Sequence, residues 1–149
     1  VGVLLARDSA SGEWGQPVFY NLGGASLGLQ AGGERSEVVL LIQSQAGLDS
    51  FLSSKLQLGA EAAVAAGPVG AGAGENVSSE ILTFVRSKGL YAGASLDGTV
   101  IQPASERNAA FYGSEVTPTD ILVRKIVQNP HADGLREDLA RTARPAAGG

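Results

Sequence analysis

Between Leu56 and Val64 the chain alternates strictly, and this pattern narrows its folding options more than any other. Leu56, Leu58, Ala60, Ala62 and Val64 share one parity, while Gln57, Gly59, Glu61 and Ala63 share the other. Successive side chains of a strand point to opposite faces, so the pattern predicts a half-buried strand. Leu90, Ala92, Ala94 and Leu96 repeat it after a glycine-rich loop. Small residues on both segments allow close packing, which predicts that the two segments pair at the heart of a curved sheet.

The flanking sequence points the same way. Val1 to Ala6 reads as a strand, Asp8 to Gly12 as its turn, and Trp14 to Leu22 as a returning strand that Pro17 confines to an edge or an irregular start. Glycines from Gly23 to Gly33 mark bends or bulges. Val38 to Ile42 is a solid apolar run, the signature of a strand covered on both faces. Ser44 is placed to cap a short helix carrying Leu48, Phe51 and Leu52 on one side. Asp97-Gly98 predicts a tight turn, and Thr99 to Gln102 continues as strand.

Further on, Ser105 to Tyr112 suits a helix ended by Gly113, and Thr117-Pro118-Thr119-Asp120 opens another over Ile121 to Val127. Leu135 to Thr142 reads as a last polar helix before a fraying tail. Many short strands with glycine at the bends predict a mainly β (α+β) fold. The expected form is a closed or strongly coiled antiparallel β-barrel core with a few short helices packed outside. The expected division is 1–127 for the barrel domain and 128–149 for a C-terminal helix and flexible tail.

Composition excludes several chemistries. Among 149 residues there is no cysteine, hence no disulfide, thiolate metal site or cysteine nucleophile. A net charge of −4 repels nucleic acid and anionic membrane as a whole, so any anion must be held by a local cluster. No apolar run approaches the roughly 20 residues that cross a bilayer. The chain starts inside an apolar run, from which a preceding segment is expected.

Candidate chemical groups are few. His131 is the only histidine, in a turn-like Asn129-Pro130-His131 context; without a second histidine it reads as a solvated loop residue. Gly67 to Gly74 follows a strand but lacks the lysine and hydroxyl of a phosphate loop. Asn76-Val77-Ser78 fits a glycosylation sequon in form only. Trp14 suits packing at a barrel end or anchoring at a membrane interface. No nucleophile, base and orienting group assemble, so no catalytic residue, metal or cofactor is expected. The cations are more informative. Arg86 and Lys88 project from one face if extended, and Lys55 opens the alternating segment. If those strands pair, three positive tips converge on one place suited to a phosphate monoester. The competing reading is a solvated strand end guarded by lysines.

Three strings carry a family resemblance: G-G-A-S-L-G-L-Q-A-G (Gly23 to Gly32), L-G-A-E-A-A-V-A-A-G-P-V-G (Leu58 to Gly70) and R-S-K-G-L-Y-A-G-A-S-L-D-G (Arg86 to Gly98). With Asn108 and Phe111-Tyr112-Gly113 they resemble the SYLF domain family, in its bacterial type. The resemblance implies a β-barrel lipid-binding module recognising phosphoinositides or other anionic head groups, and in fungal relatives actin. It implies Lys55, Arg86 and Lys88 as head-group contacts. It also implies an exported, periplasmic or envelope-associated location, often as a lipoprotein. The sequence is expected to begin after the amphipathic N-terminal segment that the resemblance implies, and Ala71 stands where the family often has arginine, so weak binding is expected. An envelope scaffold or protein-interaction domain is the alternative, and an enzyme ranks last.

Overall fold

Local hydrogen bonding starts and stops most of the helices in the computed structural model, which describes residues 2–8, 10–23, 37–66, 80–87, 90–93 and 98–142. Helix α1 (Gln45–Ser50) begins where the Ser44 hydroxyl accepts the Gly47 N–H at 3.0 Å. Helix α2 (Ser105–Tyr112) stops at Gly113, whose φ of 76 puts it in the left-handed region. Helix α3 (Pro118–Leu122) opens with a reciprocal capping box: Thr117 accepts the Asp120 N–H, and Asp120 accepts the Thr117 N–H. Each device satisfies helix-end groups that would otherwise lack a partner. Helix α4 (Asp133–Thr142) follows a single 3-10 turn, Pro130–Ala132, that Asn129 caps.

The architecture is mixed α+β, with two sheets and a few short helices. Its backbone groups into two compact units. The first comprises Val1–Asn21 and Pro103–Gly149. In it β1 (Gly2–Leu4) pairs antiparallel with β2 (Val18–Gly23), Val3 standing opposite Phe19. Asp8 shapes the connecting turn by accepting the Ala10 and Ser11 N–H groups. Asn108 of α2 accepts the Phe19 N–H at 2.8 Å and donates to the Phe19 carbonyl at 3.1 Å. The Phe19 and Phe111 rings meet edge-on at 5.2 Å. Leu4, Val18, Tyr20, Ala104, Ile121 and Ala132 are buried.

The second unit, Leu22–Gln102, is organised by β6 (Ile81–Ser87). Strand β3 (Glu37–Ile42) pairs antiparallel with it from Glu37 opposite Arg86 to Ile42 opposite Ile81. Strand β5 (Val64–Ala66) runs parallel to the first half of β6, and β7 (Leu90–Gly93) antiparallel to its second half. Strand β4 (Leu56–Gln57) pairs antiparallel with β8 (Val100–Pro103). Leu56, Leu58, Ile81 and Ile101 are almost wholly buried. Withdrawing each such side chain from water contributes about 1.5–3 kcal/mol.

Several expectations are corrected, among them the helix expected over Ile121 to Val127, which ends at Leu122. No closed barrel forms among the described residues. Its strands are short, they fall in two sheets, and one pairing is parallel, which a simple chain of hairpins does not produce. Leu56 to Val64 is not one strand. Gly59, at φ 88, reverses the chain, its N–H reaching the Ala62 carbonyl while Ala60 and Glu61 donate back to Gln57. Leu58, Ala62 and Leu56 are buried as the alternation requires, but Ala60 sits exposed in the turn. The Leu90 segment consequently pairs with β6 and not with β4. Finally, β3 is not covered on both faces, for Val38, Val39 and Leu41 are 37–50% exposed.

Candidate functional site

Register explains the setting of the first predicted cation. Arg86 lies at the end of β6 directly opposite Glu37 of β3, and its Nη1 reaches the Glu37 carboxylate at 3.3 Å. Both side chains stand well into solvent, 46% and 69% exposed. Such an exposed pair contributes about 0.2–1 kcal/mol. A guanidinium can grip phosphate through two parallel N–H groups; the contact with Glu37 uses Nη1.

Lys55 is exposed and precedes β4, and its carbonyl accepts the Ser53 hydroxyl at 3.0 Å. Because β4 pairs with β8, while β6 pairs with β3, β5 and β7, the strand pairing that was to bring Lys55 beside Arg86 does not form. Lys88 lies outside the described residues, as do Gly67 to Gly74 and the sequon at Asn76. Glu37, the partner that orients Arg86, was not singled out from sequence. Its signal is strand register, which one sequence does not display.

The remaining candidates are structural. His131 is exposed within the 3-10 turn, its N–H bonded to Asn129. Trp14 is half-buried; its carbonyl accepts Arg136 Nε at 2.8 Å, and its indole N–H has no partner among the described residues. An open cleft of about 350 Å³ lies beside it, lined by Glu13, Asp133, Arg136, Glu137 and Ala140. The cleft has carboxylates but no hydroxyl, thiol or imidazole to act with them. Among the described residues no three metal-ligating side chains stand close enough to hold an ion. No described helix is long and apolar enough to cross a membrane.

Arg86, paired with Glu37, and Lys55 both lie exposed on the second unit, where a charged partner can reach them. Residues 23–142 match the family described as "Ysc84: Las17-binding protein actin regulator". The chain belongs to this family, the Ysc84/SYLF domains, which are non-catalytic binding modules. It is 33% identical over 149 residues to Protein YSC84 of Saccharomyces cerevisiae, covering 95% of this chain and 32% of that protein. It is 32% identical over 143 residues to the SH3 domain-containing YSC84-like protein 1 of Rattus norvegicus, covering 93% of this chain and 42% of the relative. A third relative, SH3 domain-containing protein PJ696.02 of Schizosaccharomyces pombe, is 31% identical over 141 residues, 90% of this chain and 33% of its own length. The chain thus spans about a third to two fifths of the curated relatives it matches.

Proposed function

We propose that this chain is a non-enzymatic module for phosphoinositides or other anionic lipid head groups, held weakly through Lys55, Arg86 and Lys88. The observation that supports it is Arg86, half exposed at the strand end and engaged by a carboxylate that a phosphate can displace. Lys88 follows two residues later. Because the whole molecule carries −4, local charge does the holding, and affinity falls steeply as salt screens it. Actin is a further partner by analogy, since the family's description names an actin regulator.

A second reading makes the chain an envelope scaffold or protein-interaction domain, exported and without a specific lipid. The apolar side chains that β3 leaves exposed favour it. Chemical-shift titration with soluble inositol phosphates separates the two. Head-group binding requires shifts at Lys55, Arg86 and Lys88 that vanish in the triple alanine variant and shrink with salt. Shifts elsewhere, or shifts indifferent to those substitutions, count against it.

A further inference from the structure

We infer that the turn Val123–Ile126, in the first unit, is a tip that enters the surface of an anionic phospholipid bilayer. Val123 and Ile126 are 59% and 61% exposed, more than any other large apolar side chain among the described residues. Between them stand Arg124 and Lys125, whose side chains are 69% and 60% exposed. Four successive residues thus stand more than half in solvent.

The turn is braced. The Val123 and Arg124 N–H groups both reach the Thr119 carbonyl at 2.9 Å, and the Ile126 N–H reaches the Asp120 carbonyl at 3.2 Å. Lys125 adopts φ 54, a left-handed conformation that disfavours residues with a side chain, and it is the only described non-glycine residue to do so. These bonds fix the main chain of the turn.

The order apolar–cation–cation–apolar matches the layers of a lipid interface. Methyl groups enter the acyl boundary while the guanidinium and ammonium remain at phosphate depth. Arg124 is held by Asp120 at 3.4 Å and Lys125 by Asp8 at 3.1 Å, surface pairs that lipid phosphate can replace. This contact uses other residues than the proposed head-group contacts Lys55, Arg86 and Lys88 and does not rest on them.

The chain has no cysteine, so Val123→Cys carries a single environment-sensitive fluorophore on the intact protein. With vesicles of phosphatidylcholine containing phosphatidylserine, the probe shifts to the blue; with phosphatidylcholine alone it shifts far less. Val123→Ser and Ile126→Ser each weaken vesicle partition about tenfold, in keeping with the burial of one aliphatic side chain. The soluble inositol phosphate titration stays unchanged in both variants. An unchanged spectrum on vesicle-bound protein overturns the inference while leaving the head-group site standing. So does a blue shift that appears without vesicles as protein concentration rises, which would place the tip against another protein copy. Failure of the protein to partition onto the vesicles overturns it as well, and the soluble titration then decides the head-group site independently.

Discussion

The Asn108 side chain closes both main-chain groups of Phe19, accepting its N–H at 2.8 Å and donating to its carbonyl at 3.1 Å. A side-chain amide thus serves α2 as a neighbouring strand would serve β2. Asn108 is fully buried, so these bonds have no water to replace them. Asn108→Leu keeps the volume and leaves the Phe19 N–H unsatisfied, at a cost of about 2–3 kcal/mol. Asn108→Asp also costs stability at neutral pH, because its ionised form cannot donate to the Phe19 carbonyl and buries charge. Urea unfolding midpoints check both.

Backbone sign, not space, governs Gly113. A Cβ there meets nothing within 4 Å, yet φ is 76. Gly113→Ala is expected to cost about 1 kcal/mol through left-handed strain alone. Lys125→Gly is the converse case: it relieves similar strain at φ 54 but gives up the surface pair with Asp8. A gain of about 0.5 kcal/mol by thermal or urea unfolding is the expected balance.

These helix ends were legible beforehand because their bonds are local. Ser44, Thr117 with Asp120, and Gly113 each act within three or four residues, so sequence spacing suffices to read them. The reversal at Gly59 was not legible. Alternation of buried and exposed residues survives a tight turn nearly intact, so Leu56, Leu58 and Ala62 look alike in one strand or two. Likewise the apolar composition of β3 states what it prefers and not whether anything covers Leu41. Arg86 was visible as a cation two positions before Lys88. Its orientation by Glu37, 49 residues earlier, depended on a long-range register.

Stability should fall on both sides of neutrality. The carboxyl of Asp120 lies below its ordinary value, held there first by the Thr117 N–H, then by the Thr117 hydroxyl and Arg124, partly opposed by desolvation. Asp8 is lowered by the Ser11 N–H, Lys125 and the Ala10 N–H. A carboxyl depressed in the folded state lends stability above the unfolded pKa of 3.8 and loses it as pH falls through the folded value. Burial pushes the Tyr112 hydroxyl up from 10 to about 12, and Tyr20 rises for the same reason. For a phenol raised on folding, stability holds below 10 and is lost as pH climbs through the folded value. Asp120→Asn should flatten the acid limb of a pH–midpoint curve, and Tyr112→Phe the alkaline one.

Arg86 and Glu37 should couple by less than about 1 kcal/mol in a double-mutant cycle, since both are exposed. A larger coupling would mean that a head group must compete with a strong internal partner.

Strand β6 borders three others, and two of them, β3 and β5, precede it in the chain. During synthesis, therefore, both earlier strands emerge from the ribosome without the neighbour they need. Their apolar residues wait until Ile81–Ser87 has been made, at about 5–20 residues per second. Pausing translation before Ile81–Ser87 has left the ribosome should therefore lower the yield more than pausing once it has.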